Sequence, residues 1–349
     1  MSCYNPRVRV EYLGKYKYAA DGHRYNDFKI YSTKDLEMED LFFPGQKVQI
    51  IPCGKCIGCR LDYSKEWANR GYLESLYSYA YFITLTYNDE HLHIPLQMVT
   101  DEGITFLQED APEEWQGMLV PKDFTNFNKR LRKELSKNEK YKCKMRFIAC
   151  GEYGEKGHRP HYHEIIYLDK PIPLEDLTLD KQLSKSGEPQ FFWEVLKKTW
   201  KKGRAVISEA NWQTIAYVAR YITKKQFGDY AEEYYKSRGQ TKEFFRVSRK
   251  PGIGYQYYED HKEEIYKYDK ILINKGKSSE WESPPKYFDK MYEEEFPDDF
   301  EIIKLNRRKK AMSANRLTDS TTSLDRWELL QVKLREKVTQ SDTLFRDLE

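Results

Sequence analysis

The middle of this 349-residue chain alternates strand-like and helix-like segments, which predicts an α+β fold. The expected core is a split βαβ, ferredoxin-like antiparallel sheet with helices on one face. Three observations predict it. Tyr81-Phe82-Ile83-Thr84-Leu85-Thr86-Tyr87 is β-branched and aromatic, as a central strand should be. Phe124, Phe127, Leu131 and Leu135 recur at helical spacing, with Lys129, Arg130, Arg132 and Lys133 on the other faces. Gly151, Gly154 and Gly157 then punctuate a turn between two further strand-like runs.

Taken in order, residues 1–75 form a Cys-containing N-terminal region that ends in an expected helix from Leu61 to Tyr79. Residues 76–235 hold the core. After the first strand and the amphipathic helix, Lys144 to Cys150 reads as a strand and His161 to Leu168 as its partner. Phe191 to Trp200 reads as a helix, Arg204 to Ser208 as a short strand and Trp212 to Lys225 as a final helix, giving the order β-α-β-β-α-β-α. Residues 236–349 form a polar C-terminal extension with a helical-looking stretch from Asp325 to Val338.

Composition narrows the function classes. Charged residues make up 33% of the chain, yet the net charge is only +3, so any nucleic-acid surface must be local. Between Lys122 and Arg146 there are ten Lys/Arg against three Asp/Glu, whereas Glu293 to Asp299 is acidic. The 28 tyrosines suit both an aromatic core and stacking on bases. No apolar run approaches the roughly 18 residues of a membrane span, and the N-terminus lacks a signal-peptide core. A soluble, cytoplasmic protein without membrane partners is expected, with six reduced or metal-bound cysteines rather than a disulfide framework.

His161 and His163 lie two apart on an expected strand, which puts both imidazoles on one face. Glu152, at the end of the preceding strand, would come alongside His161 across a hairpin. Mixed imidazole and carboxylate ligation suits Mn²⁺ or Mg²⁺ bridging a phosphate, without excluding Zn²⁺. His91-Leu92-His93 has the same spacing, but Pro95 and its surroundings read as a loop.

In the last helix of the core, Tyr217, Tyr221 and Lys224 share a narrow arc opposite Ile215, Val218, Ala219 and Ile222. The apolar arc is expected to face the sheet, leaving the tyrosines and lysine on an exposed stripe. Ionising a tyrosine at pH 7 costs roughly 4 kcal/mol; Lys224 or Arg220 nearby would lower that cost, and a metal on the phosphate would assist in-line attack.

Phe82-Ile83-Thr84-Leu85-Thr86-Tyr87, Pro160-His161-Tyr162-His163 and Tyr217-Val218-Ala219-Arg220-Tyr221-Ile222-Thr223-Lys224 resemble, in this order, the three motifs of HUH-type rolling-circle replication initiators. Cys3, the Pro52–Arg60 segment and Ser248-Arg249-Lys250-Pro251-Gly252-Ile253-Gly254 further resemble the initiators of gokushoviruses (Microviridae), and the likeness spans roughly residues 1–260. The resemblance implies an endonuclease that nicks single-stranded DNA at a phage origin in the bacterial host cytoplasm. It implies that one tyrosine holds the 5′-phosphate covalently and that Tyr217 and Tyr221 alternate, so that rejoining releases circles. His161 and His163 match the paired ligands, and Glu152 fits the acidic third by its place in Gly-Glu-Tyr-Gly. A host polymerase would extend the 3′-end. A host helicase would unwind the duplex, since the chain has no Gly-x4-Gly-Lys-Ser/Thr loop.

Cys53, Cys56 and Cys59 form a C-x2-C-x2-C run, with Cys3 a candidate fourth zinc ligand and His23 a poorer one; free thiols near a helix start are the alternative. The loop from Arg246 to Gly254, including Arg249 and Lys250, precedes Tyr255, Tyr257 and Tyr258. With Lys129, Arg130 and Lys133 it is a candidate DNA contact, and equally a plain turn ahead of a strand. The rival readings are a plasmid relaxase or single-strand transposase, and a non-catalytic, zinc-stabilised single-stranded nucleic-acid-binding protein.

Overall fold

The computed structural model describes residues 3–20, 22, 24–32, 45–93, 97–99, 105–107, 117–137, 139–154, 158–184, 187–224, 229–237, 239–324 and 326–346. It divides into two compact units, Met1–Tyr63 with Ala314–Glu349, and Ser64–Ser313. Among the described residues, no helix is long and apolar enough to cross a membrane.

In the first unit, β1 (Arg7–Tyr18) pairs antiparallel with both β2 (Arg24–Ser32) and β3 (Gln46–Ile51). Arg7-Val8-Arg9-Val10 has the two-residue alternation of a half-covered strand, and Val8 and Val10 are its buried positions. A Cys-rich turn follows β3 and leads into α1 (Ile57–Ser75), which begins four residues earlier than the sequence predicts and stops before the next strand.

The second unit is built on β4 (Tyr79–Thr86), a two-stranded ribbon of β5 (Gln97–Val99) and β6 (Thr105–Leu107), α2 (Pro121–Lys137), β7 (Met145–Tyr153) and β8 (Pro160–Leu168). The chain continues through β9 (Leu177–Leu179), β10 (Phe191–Trp193), α3 (Glu194–Trp200), β11 (Ala205–Glu209), α4 (Trp212–Lys224), α5 (Asp229–Ser237) and β12 (Phe244–Val247). Seven strands form one antiparallel sheet in the order β12-β7-β8-β4-β11-β10-β9. Phe191–Trp193, expected to open a helix, is instead a short strand paired with β9 and β11. A three-residue apolar run carries no period that separates the two states.

Side chains alternate across the sheet, and both faces are covered, not one. Tyr81, Ile83, Leu85, Tyr162 and Ile166 pack under α2 and α3, against Phe124, Phe127, Leu131, Val195 and Trp200. Ile148, Cys150, Ile165 and Tyr167 pack on the other side against Trp67 and Ala68 of α1 and Ile215, Val218 and Ala219 of α4. This double cover explains why β8 is buried along nearly its whole length.

Beyond the sheet, α6 (Tyr255–Tyr268), the hairpin of β13 (Ile271–Asn274) and β14 (Ser279–Glu282), α7 (Lys286–Glu295) and α8 (Pro297–Asp319) follow. Leu73, Tyr258, Ile265, Ile273, Phe288 and Phe300 form a third buried cluster. The region past residue 280 therefore supplies core residues, and α9 (Arg326–Arg346) ends the described chain.

Candidate metal centre

The hairpin of β7 and β8 sets Glu152 directly opposite His161, while β4 sets Thr84 opposite His163 and Thr86 opposite His161. Strand parity turns Glu152, His161 and His163 to the face covered by α1 and α4. Glu152 Oε1 lies 2.6 Å from His161 Nε2 and 3.1 Å from His163 Nε2. The ligand-capable atoms of all three residues fall within 4.8 Å of one another.

The far nitrogens are held as well. His161 Nδ1 donates to the Arg159 carbonyl at 3.0 Å, since a carbonyl only accepts, and His163 Nδ1 lies 3.0 Å from the Thr84 hydroxyl. With its Nδ1 proton spoken for, His161 presents to Glu152 a position that takes either a second proton or a cation. Burial pushes the Glu152 carboxyl upward, but hydrogen bonds from His161 and His163 outweigh it and hold Glu152 below the usual range. The donor set, two imidazole nitrogens and a carboxylate, fits a divalent ion.

Helix α4 starts from a reciprocal cap: Thr214 N–H donates to Asn211 Oδ1 and Asn211 N–H to Thr214 Oγ1, both at 2.9 Å. It carries its tyrosines onto the histidines. The His163 ring is stacked with Phe82 at 5.2 Å and with Tyr221 at 5.8 Å, and meets Tyr217 edge-on at 5.3 Å. The two tyrosine rings are 4.9 Å apart. The exposed stripe expected from helical periodicity is thus corrected. Tyr221 is only 6% exposed and Tyr217 is half-buried, both turned toward the sheet. Periodicity misjudged the direction because α4 lies against α1 as well as the sheet: a Cβ on Gly71 of α1 would sit 2.6 Å from Ile215 Cγ2. The aliphatic arc is covered on both sides, leaving the tyrosines to fill the space over β8. Burial, and then the Glu152 charge, push the Tyr221 hydroxyl far above the usual tyrosine range.

Other expected residues stand elsewhere. Arg220 is half-buried on α4, and the Lys224 side chain lies outside the described residues. Lys129 and Lys133 are exposed on α2, across the sheet from the histidines, and Arg130 donates through Nε to the Thr199 carbonyl at 2.7 Å. Arg249 and Lys250 are exposed in the turn before α6, which is a helix rather than the strand considered above. Val247 pairs with Ile148, so Arg249 continues away from Glu152, about 20 Å along the strand direction at the usual rise. The structure brings neither basic group to the histidines. His93 accounts for itself through Asp123 at 2.9 Å and His91 through Asn88 at 2.7 Å. The four thiols of Cys3, Cys53, Cys56 and Cys59 converge in the first unit, while His23 lies outside the described residues.

Sequence reasoning missed three contributors: Thr84, Phe82 and the Arg159 carbonyl. Arg159 is itself tied to the Tyr87 carbonyl at 2.9 Å and to Asp89 at 2.7 Å. Thr84 and Phe82 share strand parity within the Phe82–Tyr87 motif, the signal that would have found them.

The family model for replication-associated protein ORF2 matches residues 80–226, which contain the histidines, Glu152 and both tyrosines. The chain is 36% identical to replication-associated protein ORF2 of Spiroplasma virus 4 over 317 residues, covering 89% of this chain and 87% of that protein. It is 27% identical to replication-associated protein VP4 of Bdellovibrio phage phiMH2K, covering 77% of this chain and 74% of that protein. A replication-associated protein of Chlamydia phage 1 is 27% identical over 70% of this chain and 54% of that protein. No solved structure matches. On this likeness, which runs through most of the chain and through every residue of the centre, the protein belongs to the ORF2 family of phage replication-associated proteins.

Proposed function

We propose that this protein is a rolling-circle replication initiator, an HUH-type endonuclease with a split βαβ core that nicks single-stranded DNA at a phage origin and rejoins the ends. One observation carries the reading: both tyrosines of α4 touch His163, whose Nε2 converges with that of His161 on Glu152. A nucleophile-bearing side chain against a carboxylate–imidazole set suits phosphodiester transfer.

Glu152, His161 and His163 would hold Mg²⁺ or Mn²⁺, which supplies polarisation of the scissile phosphate when bound. Thr84 and the Arg159 carbonyl orient the imidazoles. The attacking tyrosine oxygen forms a bond to phosphorus, the P–O3′ bond breaks, and the tyrosine proton passes through solvent to the departing 3′-oxygen. The product is a 5′-phosphotyrosine and a free 3′-hydroxyl for a host polymerase, with strand opening left to a host helicase in the host cytoplasm. Tyr217 is the less buried of the pair and serves as the first nucleophile. Tyr221, held in its neutral form by burial, serves the second cleavage.

Incubation with origin-containing single-stranded DNA and Mn²⁺, followed by a denaturing gel, tests this. A covalent adduct is expected that vanishes with EDTA and with Tyr217→Phe/Tyr221→Phe combined. Tyr217→Phe alone lowers first-turnover adduct more than Tyr221→Phe. His161→Ala abolishes cleavage, a loss of at least about 100-fold, while binding stays within a few-fold. An adduct in the double mutant would remove the tyrosine assignment, and full activity of His161→Ala the metal assignment.

A further inference from the structure

We propose that Cys3, Cys53, Cys56 and Cys59 hold one structural zinc ion, distinct in chemistry and purpose from the histidine centre. The four sulfurs come from three places in the chain: the residues before β1, the turn after β3 and the start of α1. They lie within 4.8 Å of one another. Cys53 Sγ is 3.9 Å from Cys59 Sγ, and Cys56 Sγ is 3.9 Å from Cys3 Sγ.

Those separations decide the chemistry. A disulfide needs sulfurs about 2.05 Å apart, so neither pair is bonded. Four sulfurs around one zinc at about 2.3 Å define a tetrahedron whose edge is about 3.8 Å. The observed pairs fall on that edge. A span below 5 Å also leaves room for one ion rather than an iron–sulfur cluster.

Backbone geometry points the same way. The N–H groups of Lys55 and Cys56 donate to Cys53 Sγ at 3.4 and 3.2 Å, Cys53 N–H to Cys3 Sγ at 3.2 Å, and Tyr4 N–H to Cys56 Sγ at 3.4 Å. Four donors aimed at sulfur favour thiolates, the form that ligates metal. Gly54, at φ +74°, makes the tight turn that lets two amides reach Cys53. Lys55 and Arg60 flank the ligands and offset the two negative charges that four thiolates carry beyond the ion's own. Four protein ligands close the coordination sphere, so the ion is structural, and it ties residue 3 to residues 53–59 across the whole three-stranded sheet. Cys143 and Cys150 lie in the other unit and take no part.

The test uses the full chain purified with zinc and without chelator. Metal analysis is expected to find about one tightly held zinc per chain, with sulfur scatterers at about 2.3 Å in X-ray absorption. Cobalt exchanged into the same protein should show tetrahedral thiolate charge-transfer bands, a readout that needs no variant. His161→Ala/His163→Ala keeps the metal, whereas Cys56→Ser/Cys59→Ser loses it and exposes residues 1–63 to limited proteolysis. Absence of zinc, a shell of nitrogen and oxygen only, or iron with sulfide would each overturn the proposal.

Discussion

His163 is held on four sides, by Thr84, Glu152, Phe82 and Tyr221, and each contact constrains where its Nε2 can point. Thr84→Val keeps the shape of the residue and removes its hydroxyl. It is expected to weaken Mn²⁺ binding about 10- to 100-fold, read by calorimetric titration with the melting temperature little changed; unaltered affinity would deny Thr84 an orienting part. One residue along β8, Glu164 faces the opposite side of the sheet and is fully buried, with Asn128 Nδ2 3.4 Å away. Burial, only partly countered by Asn128, raises its carboxyl to about 8. The unfolded chain releases this proton near 4.5 and the folded chain keeps it to about 8, so stability falls as pH rises between those values. Glu164→Gln should therefore raise the melting temperature at pH 7–8, by on the order of 2 kcal/mol in stability, with little gain at pH 4. An equal gain at both pH values would show that ionisation is not the cause. The two histidines and Glu152 are legible in the sequence because parity and a short hairpin are local rules. Thr84 reaches His163 across a pairing of residues 79 positions apart, which no local pattern reveals.

Helix α4 was readable in extent, its cap and periodicity both being local, but its orientation was not. Two surfaces compete for it, β8 and α1, and only their joint presence turns the tyrosines inward. The closeness of α1 makes this testable at Gly71, whose missing side chain leaves room for Ile215 at 2.6 Å, the Tyr167 hydroxyl at 2.8 Å and Ile148 at 3.0 Å from an added Cβ. Alanine gains up to about 1 kcal/mol in helix propensity, against an overpacking cost of about 1–3 kcal/mol. The core contact should win. Gly71→Ala is expected to lose about 1–2 kcal/mol in urea unfolding, and a stabilised variant would mean that the seam between α1 and α4 can open without strain. The same double cover accounts for the second misreading, helices on one face. Amphipathic helices announce that they have a buried face, not which side of a sheet receives it.

At the level of the whole chain, the stretch past residue 280 changes character most. Its acidity suggests a solvated extension, yet Phe288 is fully buried and Phe300 nearly so. Arg307 bridges Asp269 at 2.6 Å and Asp289 at 2.7 Å, drawing the surplus of acidic groups into a network. Phe288→Ala is expected to destabilise the second unit by about 3–5 kcal/mol, measured by the urea midpoint; a change under about 1 kcal/mol would return this region to the role of an appendage. The basic groups of α2 and of the turn before α6 are likewise spread over the molecule rather than gathered at the histidines. The sequence by itself determined the α+β order, the histidine pair with its carboxylate and the membership of the tyrosines in one helix, since strand parity, helical period and family motifs all act over short spans. The inward turn of the tyrosines, the second covered face, the Thr84 contact and the convergence of four thiols depended on tertiary structure. Each is set by segments distant in the chain competing for one volume, and that competition leaves no period in the sequence.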